Sequence, residues 1–291
     1  MFVIKEIGEE NLQDVVKFAW ELSKNKAKNS FPKFESYEDM YDVFKKSVND
    51  ENDKVLAFYE NGNLCGVLNL LIKPEDAYMQ GNGGIYAKDN FSNVATQFID
   101  YIKNNYTDYE LFFGYSSDND EGINYMEKIK AELVEASYTM ELKNTYFIYT
   151  NQLKDNLVVK LIPDYYQEFS KFHDLYNPDM YWNSQRLLEK INLFDIFVII
   201  KENKIVGSIV ISSYEILGKK EAEIFAVTVD NKFQHGGLEL ALLSESLRNI
   251  FDKGVERVLY FIDKSAKDEL EAAYQIGFKQ IDDYNCYRIK V

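Results

Sequence analysis

The sequence predicts an α/β protein of the α+β type. It is organised as two similar domains, each a mixed, mostly antiparallel twisted sheet flanked by helices. Three observations carry this prediction. The order of strand-like and helix-like segments repeats with a period near half of the 291 residues. Each half holds two apolar, strand-like runs joined by a short polar turn, Asn61-Gly62-Asn63 in the first and Glu202-Asn203-Lys204 in the second. The chain length suits two domains of about 145 residues each.

The elements follow in order. Residues 2–7 read as a short strand, and Glu10–Asn25 places Leu12, Val15, Val16, Ala19, Trp20 and Leu22 at helical spacing. A second helix over Ser36–Val48 opens on a capping serine, with Glu38 and Asp39 in its first turn. The hairpin strands are Lys54–Glu60 and Leu64–Ile72, and Gln80–Gly84 reads as a glycine-rich loop. Helices over Ser92–Asn104 and Glu121–Ala131 then alternate with strands over Glu110–Tyr115 and Leu133–Leu142.

The second half repeats the order. Asn156–Ile162 is a strand, and Asp164–Tyr176 and Ser184–Lys190 are helices. Ile196–Lys201 and Ile205–Ser213 form the hairpin, and Ala222–Val229 is the next strand. A long helix over Gly236–Phe251, a strand over Arg257–Asp263, a helix over Ala266–Ile276 and a strand over Lys279–Ile289 complete it. The polar stretch Lys143–Lys154 marks the boundary. The domains are therefore expected at 1–144 and 156–291, joined by a linker or exchanged strand at 145–155.

Composition narrows the function classes. With 33 basic and 48 acidic residues the net charge is −15, which disfavours binding to a phosphate backbone and suits cationic small molecules. Two cysteines, Cys65 and Cys286, make no disulfide framework. Two histidines, His173 and His235, make no metal-site pattern, so no metal is expected. The longest apolar runs, Ile196–Ile200 and Ile205–Ile211, fall far short of the roughly 20 residues a spanning helix needs. The opening residues lack a secretory apolar core, so a cytoplasmic protein with no membrane partner is expected.

The chemistry-bearing stretch is the strand Ala222–Val229, the glycine-containing loop Asp230–Glu239 and the apolar helix from Leu240. A glycine-containing loop at a helix N-terminus turns backbone N–H groups toward an anion, and a pyrophosphate fits that arrangement. Gln234, Gly237 and the apolar helix resemble the Gln/Arg-x-x-Gly-x-Gly/Ala loop of the GNAT N-acetyltransferase superfamily. Ala272-Ala273-Tyr274-Gln275-Ile276-Gly277-Phe278 is similar to that family's second signature. The resemblance implies two GNAT-like domains, with acetyl-CoA as acyl donor and a small primary amine as acceptor. It assigns the cofactor to Val227, Thr228, Val229, Gln234, His235, Gly236, Gly237, Leu238, Glu239, Leu240 and Lys267. Glu223 matches the family's base and Tyr274 its general acid, with the backbone near Val227 as oxyanion donor. Alternation along the strand puts Glu223 on one face with Phe225, Val227 and Val229.

Departures from the family pattern accompany the match. Glu239 stands where the family prefers glycine or alanine, and Lys267 where it often has asparagine. Ile85–Thr96, the corresponding stretch of the first half, has no glycine, so that domain is expected to keep the fold without the cofactor. Asp174, Asp179, Tyr181 and Trp182, between the first two helices of the second half, offer acids and aromatic faces to a cationic acceptor. No nucleic-acid partner is expected, given the acidic balance, and a monomer or homodimer is expected. Two alternatives stand beside it: a non-catalytic protein that binds a ligand or partner, and a transferase using another acyl donor.

Overall fold

The computed structural model describes residues 2–150, 158–216 and 218–291. The elements of the first half are β1 (Phe2–Glu6), α1 (Glu9–Ser23), β2 (Ser30–Phe31), α2 (Tyr37–Asn49), β3 (Lys54–Glu60), β4 (Asn63–Lys73), β5 (Tyr78–Ala87), α3 (Phe91–Asn105), β6 (Glu110–Tyr115), α4 (Asp120–Lys128) and β7 (Glu132–Lys143). The second half continues with β8 (Val158–Lys160), α5 (Tyr166–Tyr176), α6 (Ser184–Glu189), β9 (Phe194–Lys201), β10 (Lys204–Ile216), β11 (Lys219–Val229), α7 (Leu238–Asp252), β12 (Arg257–Asp263), α8 (Lys267–Gln275) and β13 (Lys279–Lys290).

The chain divides into two compact units, Met1–Ala136 with Asp282–Val291, and Ser137–Ile281. This division differs from the expected spans of 1–144 and 156–291, because each half supplies its last strand to the other half's sheet. In the first unit Asn285–Lys290 of β13 pair antiparallel with β6, giving the order β1-β3-β4-β5-β6-β13. In the second, Ser137–Lys143 of β7 pair antiparallel with β12, giving β7-β12-β11-β10-β9-β8. The physical basis is packing. Tyr287 and Ile289 are buried in the first unit's core, Met140 and Leu142 in the second's. Local apolar alternation specifies a strand but not which sheet receives it.

Each unit has helices on both faces of a mixed, mostly antiparallel sheet. In the first, α3 and α4 cover a core built on Leu56, Leu68, Val94 and Phe98. Helices α1 and α2 cover one built on Val15, Val16, Met40 and Phe44. Helix α2 starts where the sequence puts it, with the Ser36 hydroxyl accepting from Asp39 N–H at 3.0 Å. In the second unit α7 and α8 cover Ile209, Ile224, Leu243 and Val258. Helices α5 and α6 cover Phe169, Leu187, Ile196 and Val210.

Two sequence expectations change locally. The presumed loop Gln80–Gly84 lies within β5, where Leu68 opposes Ile85 but Leu70 opposes Gly81. Gly83 and Gly84, at φ +84° and +76°, carry the three-residue bulge this register requires. The linker is not an added strand where it is described. Asn144–Tyr146 make a single 3-10 turn, after which the Phe147 ring packs on Phe251 and Ile148 N–H donates to Ile276 C=O. The linker residues 151–155, and Asn156 and Leu157 of the expected strand, lie outside the described residues.

Candidate active site

The second unit's site begins with a parting of two parallel strands. Glu221–Ile224 of β11 pair in parallel with Arg257–Tyr260 of β12. The ladder ends there, while β11 runs on to Val229 against β10 and β12 to Asp263 against β7. A wedge opens between them, and a strand edge presents backbone N–H and C=O groups to whatever enters it. Arg257, ion-paired with Glu221 at 2.7 Å, secures the closed end.

A bulge re-aims the residues along this wedge. Val210 of β10 opposes Ala226, but Ile211 opposes Ile224, so Phe225 is an extra residue. Before it, Ala222 and Ile224 face α7; after it, Val227 and Val229 do. Glu223 and Phe225 stay on the α5–α6 side. The expected single face for Glu223, Phe225, Val227 and Val229 is therefore corrected: the bulge shifts the two-residue alternation by one step. Glu223 is partly exposed, one residue before the ladder ends, opposite Leu259 and Ser212.

At the far end of β11 the chain makes a 3-10 turn at Asn231–Phe233 and enters α7 through Gly237, at φ +75°. At Gly236 a Cβ would stand 2.9 Å from Phe233 C=O, which explains the first glycine of the pair. Leu238, Glu239 and Leu240 are buried in the first turn of α7. Gln234 turns its amide to Asn231 at 3.1 Å, and Lys232 and Lys267 are exposed.

This loop is already occupied by acids of its own chain. Asp268 of α8 accepts the His235 N–H at 3.1 Å and pairs with His235 Nδ1 at 2.7 Å. Glu239 is 6% exposed, and its carboxylate accepts its own backbone N–H. Burial pushes the Glu239 carboxyl above its ordinary range; Asp268 adds to this, and the backbone N–H and His235 oppose it. Glu269 of α8 is hydrogen-bonded to the Tyr260 hydroxyl of β12. The Glu269 carboxyl is raised to about 7, chiefly by burial, with the Tyr260 bond opposing and Glu239, Asp263 and Asp268 adding to it. Burial likewise holds the Tyr260 phenol well above its usual range. Sequence reasoning identified Glu239 but not Glu269, Asp268 or Tyr260. The available signal was three acids, Asp263, Asp268 and Glu269, around the start of the second motif.

The remaining predicted residues are dispersed. Tyr274, on α8, is 48% exposed, next to the buried Ala272 and Ala273. Asp174 accepts from the N–H and hydroxyl of Ser184 at 2.8 and 2.5 Å, so it fixes the start of α6. Asp179 is exposed. Tyr181 carries the Arg186 guanidinium 4.4 Å from its ring centroid, so a cation already covers it. Trp182 reaches the site strand, packing against Phe225 at 6.1 Å, and also against Phe194 at 4.9 Å. Two unpredicted residues hold the loop to its surroundings. Asn177 donates to the Thr228 hydroxyl at 3.2 Å, and His173 Nε2 meets Trp182 C=O at 2.8 Å.

The first unit treats the equivalent wedge differently. Its parallel ladder covers only Tyr78–Gln80 with Glu110–Phe112, and the short strand β2 then pairs with β6, Ser30 opposite Tyr115 and Phe31 opposite Gly114. The other edge of β6 holds β13, so β2 lies on the β5 side, inside the wedge. Asn119, nearly fully buried, donates to Asn29 C=O at 3.1 Å and to the Ser30 hydroxyl at 3.2 Å. At Gly84 a Cβ would stand 2.5 Å from Ser30 Cβ, so glycine lets the plug seat. The Lys28 ammonium donates to Ala87 C=O at 2.9 Å and Lys88 C=O at 2.8 Å, at the entry to α3.

Comparison with known proteins agrees with this architecture. Residues 160–278 match the family described as "Acetyltransferase (GNAT) family". No curated protein matches the sequence. Among solved structures, a GCN5-related N-acetyltransferase from Sphaerobacter thermophilus is 12% identical with TM-score 0.68, over 99% of this chain and 95% of that one. A tandem GNAT protein from the clavulanic acid biosynthesis pathway is 11% identical with TM-score 0.58, over 100% and 98%. A GCN5-related glucosamine N-acetyltransferase region of a fungal multi-domain β-N-acetylglucosaminidase is 10% identical with TM-score 0.69, over 99% of this chain and 38% of that one. At these identities the structural likeness carries the fold alone.

Proposed function

From the match of residues 160–278 to the GNAT acetyltransferase family, we propose that the protein transfers an acetyl group from acetyl-CoA to the primary amine of a small molecule, with the chemistry in the second unit. The observation that carries the reading is the wedge between β11 and β12, with the Gly236–Gly237 turn and the α7 N-terminus at its mouth. An extended thioester arm pairs with an opened strand edge, and a pyrophosphate is favoured where helix N–H groups converge.

In this reading Glu223, on the α5–α6 side of β11, removes a proton from the ammonium, directly or through water. A backbone N–H in the opened stretch around Val227 takes the charge of the tetrahedral intermediate. Collapse of the intermediate breaks the carbon–sulfur bond and releases a thiolate. A thiol with a pKa near that of cysteine, about 8.5, leaves with little acid assistance. The acid role that its motif implies for Tyr274, 48% exposed, is therefore not required in this reading. Trp182 and Phe225 supply aromatic surface on the acceptor side, and the net charge of −15 favours a cationic acceptor. Plugged by β2, the first unit serves as scaffold.

The test is thiol release from acetyl-CoA with a panel of amines, amino sugars and diamines included, against the Glu223→Gln variant. Absence of both acetyl-CoA binding and turnover across the panel sinks the reading. A second reading, non-catalytic ligand binding, is favoured by one observation: Asp268 and Glu239 already take N–H groups that a cradled phosphate would use.

A further inference from the structure

Histidine is a costly residue at position 173. The side chain is completely buried on α5 and stacked on Phe169, with ring centroids 5.2 Å apart. Burial lowers the imidazole's pKa, against the opposing Trp182 bond and Asp174, so the ring is neutral near pH 7 and carries one N–H. That proton sits on Nε2, because its partner at 2.8 Å is the Trp182 C=O, which accepts and cannot donate. Nδ1 stays buried with no hydrogen-bond partner among the described residues. A phenylalanine would stack on Phe169 without leaving an acceptor unpaired. What histidine adds is the bond to Trp182.

That bond acts on an aromatic wall. The Trp182 ring packs edge-on against Phe225 at 6.1 Å and Phe194 at 4.9 Å, and Phe194 packs on Phe225 at 5.9 Å. Phe194 is buried, while Trp182 and Phe225 are half-buried. Phe225 is the extra residue of the β11 bulge, two positions after Glu223 on the same side of the strand. Two residues of strand span about 6–7 Å, close to the reach from an ammonium to the ring of a short arylalkylamine. Other ties hold the rest of the α5–α6 connection: Asn177 to the Thr228 hydroxyl, Ser184 to Asp174, and Arg186 to the Tyr181 C=O at 3.0 Å from the exposed side. His173 supplies the buried tie, on the residue whose ring forms the wall.

We infer that His173 is a positioning residue for the acceptor: its Nε2–H fixes the Trp182 main chain, and with it a wall of Trp182 and Phe225 that seats the ring of a ring-bearing primary amine beside Glu223. The inference rests on the acetyl-transfer reading above, with Glu223 as base, and adds the class of amine and the residue that shapes its seat. His173 touches neither the substrate nor the reacting atoms, since no part of it is exposed. Losing its N–H frees the Trp182 carbonyl and lets the ring leave Phe225. The seat then loosens while Glu223 stays in place on β11. Ground-state and transition-state binding of the ring fall together, so KM rises and kcat is kept. A linear diamine has no ring for the wall to grip, so it feels the change far less.

The experiment uses the full-length protein carrying Trp20→Phe, which leaves Trp182 as its one tryptophan. His173→Phe, His173→Gln and Trp182→Leu are added singly. Trp182 emission and its quenching by acrylamide are read first. Steady-state kinetics with acetyl-CoA follow, using 2-phenylethylamine and 1,4-diaminobutane as acceptors. In His173→Phe the emission should shift to the red and quenching rise about twofold or more. The KM for 2-phenylethylamine should rise about tenfold, the equivalent of one neutral hydrogen bond, with kcat within about threefold and the acetyl-CoA KM unchanged. Glutamine, whose Nε2 can donate in place of the imidazole's, should restore both readouts. Trp182→Leu should raise the same KM at least as much, which tests the wall even if His173→Phe fails to fold. Unchanged Trp182 emission in His173→Phe, or no recovery in His173→Gln, overturns the positioning role and leaves the acetyl-transfer reading intact. A higher wild-type kcat/KM for 1,4-diaminobutane than for 2-phenylethylamine, or an unchanged KM in Trp182→Leu, overturns the aromatic seat. Turnover of neither amine also overturns the seat, and if acetyl-CoA fails to bind as well, the acetyl-transfer reading falls with it.

Discussion

Replacing Glu269 with glutamine should stabilise the protein, and only above the acid range. In the folded chain its carboxyl is raised from 4.5 to about 7, chiefly by burial, with Glu239, Asp263 and Asp268 adding to it. Below about pH 4.5 the group is protonated in both the folded and the unfolded chain and contributes nothing. Between 4.5 and 7 the folded state holds the proton while the unfolded state has lost it, so stability declines as pH rises. Above 7 both states are ionised and the full penalty is present. A displacement of about 2.5 pH units at 1.36 kcal/mol each corresponds to about 3 kcal/mol. Glutamine keeps an acceptor oxygen for the Tyr260 hydroxyl and removes the charge. Urea unfolding at pH 4.5 and pH 8 is the assay. Glu269→Gln should match wild type at pH 4.5 and gain about 3 kcal/mol at pH 8. A gain of equal size at both pH values, or a loss at pH 8, would refute the reasoning, since neither follows from a buried charge.

Glu223→Gln should lower kcat/KM for the best amine by about 10²- to 10⁴-fold with acetyl-CoA affinity unchanged, as measured by initial rates and calorimetry. Tyr274→Phe should leave the rate within about threefold of wild type, since an exposed phenol is solvated in both states; a loss approaching that of Glu223→Gln would restore the motif's acid assignment. Calorimetry with acetyl-CoA should give one site per chain, because β2 fills the first unit's wedge; two sites would mean that the strand moves aside. Asn119→Ala should destabilise the first unit by about 1–3 kcal/mol. It removes the bonds to Asn29 C=O and the Ser30 hydroxyl and the Gly122 N–H cap, and amide exchange around Ser30 and Phe31 should accelerate.

Much of the fold was legible because its signals are local. The Ser36 cap, the hairpin turns and the leucine-rich stripe of α7 each act within a few residues, and the repeated element order follows from them. The Gly236–Gly237 turn and the buried first turn of α7 were legible for the same reason. What escaped depends on partners distant in sequence. The choice of sheet for β7 and β13 is made by cores that include Leu142 and Ile289, not by any pattern in those strands. The Phe225 bulge arises from register against β10, so it reversed the assignments of Val227 and Val229 without a glycine to announce it. Glu269 reads in sequence as an ordinary acid in a first helical turn; the Tyr260 hydroxyl and the approach of α7 give it its perturbed carboxyl. Asp174 and Tyr181 offered suitable chemistry for an acceptor, but Ser184 and Arg186 had already engaged them.

The exchanged last strands bear on how the chain matures as it is synthesised. The second unit receives Ser137–Lys143 early, before most of its own sequence exists. The first unit waits for Asp282–Val291, made long after the rest of it. At about 5–20 residues per second, the roughly 145 residues between β7 and the end of β13 take about 7–30 s to emerge. Through that interval the β6 edge that will bind Asn285–Lys290 stands open, flanked by Phe113 and Tyr115 of the unfinished core. An open strand edge is the part of a sheet most prone to pair with a stranger. The order of translation therefore leaves the N-terminal sheet in greatest need of chaperone protection until β13 emerges.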